Sequence, residues 1–296
     1  MGKAARFAMN RESSSGDASF STAATVGDRF AQFSEFAKDE GLRRLEEITP
    51  ELVTTYGQGL ADQVAEGTMS ASYAQNLVSA VNTAMRAATR GEWKSVSPTK
   101  TCGIANRSNV RETPAASIDR VKVEAAKEAM TSRGKAIVDL ARDLGLRSKE
   151  ACLINARGAL NEARATGRVA IVDGTKGGRL REVPITQERQ IASLERAAMV
   201  QGEARSMITE NQSWAQFRDK GLREIRETLQ AQGMTGLHDL RAGYASERYQ
   251  ALTGHPTPIE GGQASKQDDQ AAREIIAVEL GHGRTDVVAS YIGGKP

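Results

Sequence analysis

The tetrapeptide His238-Asp239-Leu240-Arg241 is the stretch of this sequence that says most about its fold and function. It lies near the start of a pattern typical of a helix over residues 236–252. Residues three apart share a helical face, so the imidazole of His238 and the guanidinium of Arg241 would point toward the same place. Such a pair suits recognition of an anionic group, to which an arginine offers paired N–H donors. A His-x-x-Arg sequence also arises by chance, so its meaning depends on the surrounding residues.

Three further short motifs lie on either side of this tetrapeptide. Taken alone, each has an ordinary structural explanation: an ion pair within a helix, a solvated lysine in a turn, or a histidine and a tyrosine near helix ends. Their order along the chain makes coincidence a poor explanation for the whole set. In chain order, the flanking motifs are Gly145-Leu146-Arg147-Ser148-Lys149-Glu150, Gly174-Thr175-Lys176-Gly177-Gly178, and Leu280-Gly281-His282 with Tyr291 nine residues after His282.

In order and spacing, the four motifs resemble those of the tyrosine recombinases, the phage-integrase family, and the resemblance extends over nearly the whole chain. It implies an all-helical core-binding domain followed by a catalytic domain, with DNA clamped between them. It also implies cleavage and rejoining of DNA strands through a covalent 3′-phosphotyrosine, with no metal and no nucleotide cofactor. Because the covalent link conserves the energy of the broken bond, rejoining needs no ATP.

The resemblance assigns one residue of this chain to each position of the family's catalytic set. Every position is filled by a residue of the expected type. The assigned residues are the first arginine Arg147 with its supporting acid Glu150, the hairpin lysine Lys176, the pair His238 and Arg241, the second histidine His282, and the nucleophile Tyr291.

The two arginines suit the charge that develops on a phosphodiester under attack. Additional negative charge builds on the non-bridging oxygens, and guanidiniums stay protonated at any working pH while donating paired N–H groups. Stabilising such charge is usually the largest catalytic contribution. Arg147 and Arg241 are therefore expected to do what metal ions do in other nucleases.

The remaining residues suit proton transfer. A tyrosine has an unperturbed pKa of about 10, so Tyr291 must lose its proton in order to attack phosphorus. His238 is the candidate base, and His282 is expected to donate to a phosphate oxygen. Lys176, at the tip of a mobile hairpin, is the candidate general acid for the departing 5′ oxygen.

Composition and patterning predict a mostly α-helical protein. Aromatic residues make up 4% of the chain, which favours helices over a sandwich or barrel. Two short strands, over 168–173 and 180–185, flank a glycine-rich turn and predict an antiparallel hairpin. The predicted fold is an N-terminal helical domain followed by an α+β domain with a small antiparallel sheet. Helices of the second domain are predicted at 117–132, 134–144, from near Arg147, 187–202, 211–232, 236–252 and 268–281.

Four segments follow from the distribution of polar and apolar residues. The first twenty residues are polar and predict a flexible leader. Three helices are predicted between Ser21 and Gly91, the second starting at Thr49-Pro50, where a hydroxyl cap precedes proline. A stretch rich in Ser, Thr, Asn, Pro and Lys then indicates a linker. The predicted organisation is leader 1–20, helical core-binding domain 21–100, linker 101–114 and catalytic domain 115–296.

A local basic patch is the second indication of DNA binding. The net charge of +3 is too small to argue from, but residues 86–112 hold six basic and two acidic residues. Arg86, Arg90 and Lys94 are spaced four apart and would share one face if the third helix, from about Met69, continued through Gly91. Such a face could follow a phosphate backbone, and a solvated helix end remains the alternative.

Other classes of function receive no support. Cys102 and Cys152 lie without metal-ligand spacing, so neither a zinc site nor a disulfide framework is predicted. No segment approaches the roughly 18 consecutive apolar residues of a membrane span. We therefore expect no metal, no cofactor and no membrane, and a cytoplasmic protein that is nucleoid-associated when bound to DNA.

The expected partner is a double-stranded DNA recombination site, on which copies of the chain assemble, as a tetramer on two sites. An accessory DNA-bending or directionality protein is a further candidate partner.

Two departures from compact family members concern this assembly. Residues 253–269 form an insertion between Arg241 and His282, predicted as a surface loop and a candidate link between protomers, and only five residues follow Tyr291.

Two other functions fit the same residues. A monomeric type IB-like topoisomerase shares the phosphotyrosine chemistry but needs no partner site. A DNA-binding regulator could keep the fold and lose cutting, although all six reactive positions are occupied here. The leading hypothesis is a site-specific recombinase or integrase of a mobile genetic element.

Overall fold

The computed structural model describes residues 1–16 and 19–295. The chain divides into two compact units, Met1–Ser108 and Asn109–Pro296, and each has its own apolar core. Within the described residues the sheet consists of two antiparallel strands and the rest of the regular structure is helical, which confirms the predicted fold class. The division between the units falls inside the segment that was predicted as a linker, 101–114.

The first unit contains four helices: α1 Gly2–Ser14, α2 Phe20–Asp39, α3 Pro50–Ala65 and α4 Ala71–Ala88. The last three are the three predicted helices. Helix α3 starts as expected, because the Thr49 side chain accepts a hydrogen bond from the Leu52 amide and Pro50 occupies the first turn. The core of this unit includes Phe30 and Phe33, whose rings lie edge to face with centroids 5.6 Å apart.

The prediction of a flexible leader over residues 1–20 is wrong. Helix α1 packs against α2 and α4 and buries Ala5, Ala8 and Met9. The apolar stripe consists mainly of alanines, which contribute little hydrophobicity each, so the polar residues around it dominate the sequence pattern. The middle of the predicted leader, Asp17 and Ala18, lies outside the described residues.

The third predicted helix ends earlier than expected. Helix α4 stops at Ala88, Arg90 adopts a left-handed backbone conformation with φ of 55°, and Gly91 follows with φ of 99°. The Gly91 amide donates to the Arg86 carbonyl and closes the helix end. The expectation that Arg86, Arg90 and Lys94 share one helical face is therefore wrong, because only the first of them is helical.

In the second unit, shorter helices pack around the long helix α12, Leu237–Thr253. Its predicted helices are found, but the one over 117–132 is shortened to α5 and the one over 211–232 is split at Lys220 into α10 and α11. The helices are α5 Arg120–Glu128, α6 Ser132–Asp143, α7 Ser148–Leu153, α8 Ala156–Thr166, α9 Glu188–Gln201, α10 Trp214–Asp219, α11 Gly221–Ala231, α12 Leu237–Thr253, α13 Lys266–Glu279 and α14 Ala289–Ile292. The strands are β1 Arg168–Ile171 and β2 Arg181–Pro184, paired with Val169 opposite Val183.

The predicted surface loop over 253–269 is partly packed rather than wholly exposed. A single 3-10 turn, Pro258–Glu260, interrupts it, and Thr257 is fully buried. The Glu260 carboxylate accepts hydrogen bonds from Ser246 and Thr257, which ties the segment to α12. Its role between protomers stays a prediction.

Candidate active site

Four of the predicted site residues meet where α7 and α12 begin and where α13 and α14 end. The Tyr291 hydroxyl lies 3.1 Å from Nε2 of His282 and 3.4 Å from Nε of Arg241. The Arg147 guanidinium shares the Leu280 carbonyl with that of Arg241, each at 2.9 Å. Residues from four separate elements thus surround one small volume.

Arg147 is held in place by the start of its own helix. It is the N-cap residue of α7, and its backbone amide donates to the Glu150 carboxylate at 2.7 Å. The same carboxylate accepts a hydrogen bond from Nη1 of Arg147 at 2.7 Å. One acid therefore caps the helix and orients the guanidinium, as a glutamate at the third helical position can do.

Arg241 is fully buried beneath the tyrosine. Its Nη1 donates to the Gly145 carbonyl, its Nη2 to the Leu280 carbonyl and its Nε to Tyr291. The position of Gly145 requires a glycine, since its φ is 61° and a Cβ there would lie 2.8 Å from the Tyr244 ring. Burial lowers the pKa of Arg241 to about 10, so the guanidinium stays charged at neutral pH.

The histidines differ in their relation to Tyr291. His282, rather than His238, forms the hydrogen bond with the Tyr291 hydroxyl, while the His238 ring lies with its centroid 5.6 Å from that of the tyrosine. The expected pairing of His238 with the hydroxyl is therefore not met in this structure. Burial, reinforced by the charges of Arg241 and Arg147, lowers the pKa of His282 to about 4. Desolvation and Arg241 also lower the pKa of His238.

Lys176 is the predicted site residue that lies apart from this cluster. It begins a 3-10 turn, Lys176–Gly178, between β1 and β2, and its side chain is exposed. The base of the hairpin is fixed, because Gly174 approaches α7 so closely that a Cβ would lie 2.8 Å from the Lys149 carbonyl carbon. Six predicted residues thus lie together, and Lys176 lies at the exposed tip of the hairpin. The six are Arg147, Glu150, His238, Arg241, His282 and Tyr291.

Comparison with known proteins finds a family model for part of the chain. A family model described as integrase matches residues 103–247, which are 145 of the 296 residues. The matched residues include Arg147, Lys176, His238 and Arg241 but end before His282 and Tyr291, whose place in the site is given by geometry.

Solved structures of similar fold cover both units of the chain. A lambda integrase (75–356) dimer bound to a COC′ core site aligns with a TM-score of 0.59 at 17% identity, over 93% of this chain and 89% of the other. A Tn1549 transposon integrase in complex with transposon right end DNA gives 0.60 at 10% identity, over 99% and 95%. XerH bound to palindromic difH substrate gives 0.58 at 14% identity, over 91% and 75%. At these identities the likeness shows a common fold.

Among curated protein sequences, none matches this chain significantly.

The candidate site contains a third guanidinium that the sequence motifs did not predict. Arg181 in β2 is buried, and its Nη2 donates to Glu150 at 2.6 Å and to the Gly145 carbonyl at 3.2 Å, while its Nη1 donates to the Glu279 carbonyl. The signal was available: residues 181 and 183 lie on the same side of an alternating strand, so a buried Val183 places Arg181 inward.

Glu150 supplies the negative charge for these guanidiniums. Its side chain is fully buried and contacts Arg147 and Arg181, with Arg241 Nη1 at 3.9 Å. Burial alone would raise the pKa of the Glu150 carboxyl, but the charge and hydrogen bonds of Arg181, followed by those of Arg147, outweigh it and hold the pKa below its ordinary value of 4.5. The carboxylate is therefore charged at neutral pH.

The predicted DNA-binding residues belong to the first unit of the chain. Arg86, Arg90 and Lys94 are exposed there, and the Arg86 guanidinium donates to Ser95 at 3.2 Å. Arg86 lines an open groove of about 380 Å³ together with hydroxyl side chains of α4 and of the segment after it: Ser79, Thr83, Ser95 and Ser97.

The described residues also bear on metal sites and membrane spans. No group of three or more His, Cys, Asp or Glu side chains there is placed to hold a metal ion. No helix in that part of the chain is both long and apolar enough to cross a membrane. Cys102 and Cys152 are buried and unpaired.

We expect Glu150→Gln to destabilise the catalytic unit by about 3 kcal/mol, because removing one partner of a buried ion pair leaves the other charges uncompensated. A carboxyl group whose pKa is lower in the folded than in the unfolded protein stabilises the fold at pH values above its unfolded-state pKa. That contribution is lost as the pH falls through the pKa of the folded state. Urea unfolding of both proteins from pH 7 downward should therefore show the difference shrinking below about pH 4.5. A constant difference would contradict the charge role of Glu150.

Proposed function

We propose that this chain is a site-specific DNA recombinase or integrase that cleaves and rejoins DNA through a 3′-phosphotyrosine at Tyr291, for integration or excision of a mobile genetic element. The observation that carries the proposal is the position of the Tyr291 hydroxyl, within hydrogen-bonding distance of Arg241 and His282 of the same chain. A surface tyrosine that served only for packing would not need a buried arginine at its hydroxyl.

The two arginines would hold the scissile phosphate. A guanidinium has five N–H donors, and the three acceptors of Arg241 are Gly145, Leu280 and Tyr291. The donors left over on Arg241, with those of Arg147, can bind non-bridging oxygens in an orientation fixed in advance by carbonyl groups. Such preorganised donors stabilise developing charge without reorganisation during the reaction.

Proton transfer would start at the tyrosine. Tyr291 Oη attacks phosphorus, its proton passes to a histidine, the bond from phosphorus to the 5′ oxygen breaks, and that oxygen takes a proton from Lys176. His282 is the better placed acceptor by its 3.1 Å contact, and His238 remains the alternative. A bound phosphate would offset the arginine charges that lower the pKa of His282, so DNA binding itself would make the base stronger.

Double-stranded DNA is the proposed partner, and copies of the chain would assemble on it as a tetramer. The structural neighbours support this, since they include a lambda integrase tetramer bound to a Holliday junction, with a TM-score of 0.56 at 17% identity. Residues 21–100 would form the core-binding domain, with α1 as part of it, and residues 115–296 the catalytic domain. An accessory DNA-bending or directionality protein remains a candidate partner, and the proposed location is the cytoplasm, at the nucleoid when bound.

We expect Tyr291→Phe to abolish covalent protein–DNA complexes, because no hydroxyl remains to attack phosphorus, while binding is retained. The substrate is nicked duplex from either flank of the coding region, chosen for paired inverted repeats, and complexes are detected by denaturing electrophoresis. The control is Tyr73→Phe, which removes the hydroxyl of a partly exposed tyrosine in the first unit. Covalent trapping of DNA by the Tyr291→Phe variant would refute the proposal. Relaxation of supercoiled DNA by the wild-type protein, without joining of two sites, would indicate a topoisomerase.

Neutralising Arg86, Arg90 and Lys94 with glutamine should flatten the salt dependence of DNA binding. Each lost phosphate contact lowers the slope of log affinity against log salt by about one. Because only Arg86 lies on the helix beside the hydroxyl groove, Arg86→Gln alone should give the largest single change. Fluorescence anisotropy between about 50 and 200 mM salt measures the slope. An unchanged slope for the triple variant would show that these residues do not contact phosphates and are solvated side chains near a helix end.

A further inference from the structure

Arg111 joins two parts of the active site that the catalytic motifs leave unconnected. It lies at the start of the second unit, before any of that unit's helices. Its backbone amide donates to the Ala289 carbonyl at 2.9 Å, and its Nε donates to the Ser290 carbonyl at 3.2 Å. Its Nη2 donates to the Asp239 carboxylate at 2.8 Å. One residue thus binds the two positions before Tyr291 and the position after His238.

The helix that carries the nucleophile depends on such contacts. Helix α14 has four residues, Ala289–Ile292, and a helix of that length is not stable in isolation, since nucleation costs more than its few hydrogen bonds return. On its far side, Arg273 donates to the Gly293 carbonyl at 3.2 Å and also to that of Gly294. Arg111 is the side-chain anchor on the near side, adjacent to the attacking residue.

The contact with Asp239 fixes Arg111 to a rigid element. The Asp239 side chain is 3% exposed and that of Arg111 21%, so this pair is less screened by water than an exposed surface pair. Asp239 lies in the first turn of α12, and its backbone carbonyl accepts a hydrogen bond from Ser117 at 2.6 Å. The start of α12, which also presents His238, is therefore held from two sides.

We propose that Arg111 is a positioning residue for Tyr291. By fixing α14 to the start of α12, Arg111 keeps the Tyr291 side chain in position beside the arginines and histidines. It takes no part in the chemistry itself. This inference rests on the proposed strand cleavage. A displacement of the attacking atom by about 1 Å can cost about 100-fold in rate, so the effect belongs to the chemical step rather than to DNA binding.

The test separates chemistry from binding with Arg111→Ala. On the nicked substrate, we expect the single-turnover rate of covalent complex formation to fall by about 100-fold, while the dissociation constant for intact DNA stays within about threefold. The rate of religation should fall by the same factor as cleavage, leaving their equilibrium unchanged, because both directions pass through one transition state. Arg111→Lys, which keeps a single charge and cannot reach both acceptors, should give an intermediate rate.

The matched control is Arg120→Ala. Arg120 is also partly buried and pairs with Asp143 and Glu247 in the same unit, away from Tyr291. It should lose stability in thermal unfolding as Arg111→Ala does, and keep the wild-type cleavage rate. Should Arg111→Ala fail to fold, Asp239→Asn removes the charge of the anchor with little change in shape. It should still slow cleavage by about tenfold, a smaller effect than for Arg111→Ala because the side-chain contact of Arg111 with Ser290 remains.

The outcomes are distinct. Wild-type cleavage rates in both Arg111→Ala and Asp239→Asn would overturn the proposal, as would equal losses in the Arg120 control. A fall in DNA affinity that accounts for the whole loss of rate would make Arg111 a DNA contact instead. If Tyr291→Phe still forms covalent complexes, the proposed function fails, and that result is read independently of any Arg111 variant.

Discussion

The buried carboxylate of Glu150 is the interaction on which the rest of the site depends. Arg147 and Arg181 donate to it directly and Arg241 lies next to it. Guanidiniums gathered in one place repel one another, and a low-dielectric interior strengthens that repulsion. A single acid that also caps α7 allows them to be close together. Main-chain carbonyls complete the arrangement, since those of Gly145 and Leu280 accept hydrogen bonds from the arginines.

The elements that carry this cluster are arranged to supply those carbonyls. Gly145 ends the turn before α7 in a left-handed conformation, and Gly281 does so after α13 with φ of 68°. A Cβ on Gly281 would lie 2.7 Å from Cδ of Arg181, so this glycine makes room for an arginine side chain. Tyr291 lies in a four-residue helix whose position is set by tertiary contacts.

Patterning and motifs predicted the helical fold, the hairpin and the members of the site, because each leaves a local signal in the sequence. What they missed depends on distant contacts. Alanines of α1 are uninformative until α2 and α4 bury them, and Arg90 looks helical until its backbone turns left-handed. Arg181 and Arg111 belong to no motif, since their partners are carbonyls and acids far along the chain. Likewise, spacing cannot tell which histidine faces the tyrosine hydroxyl.

The central claim is that Tyr291 acts with the arginines of its own chain. Mixing Tyr291→Phe protein with Arg241→Ala protein on the nicked substrate tests this most directly, because each variant lacks one half of the site. If the contact between Arg241 and Tyr291 within one chain is the working arrangement, the mixture forms no covalent complex. A covalent complex on the Arg241→Ala chain, formed only when both proteins are present, would show that the tyrosine enters a neighbour's site and would contradict the account.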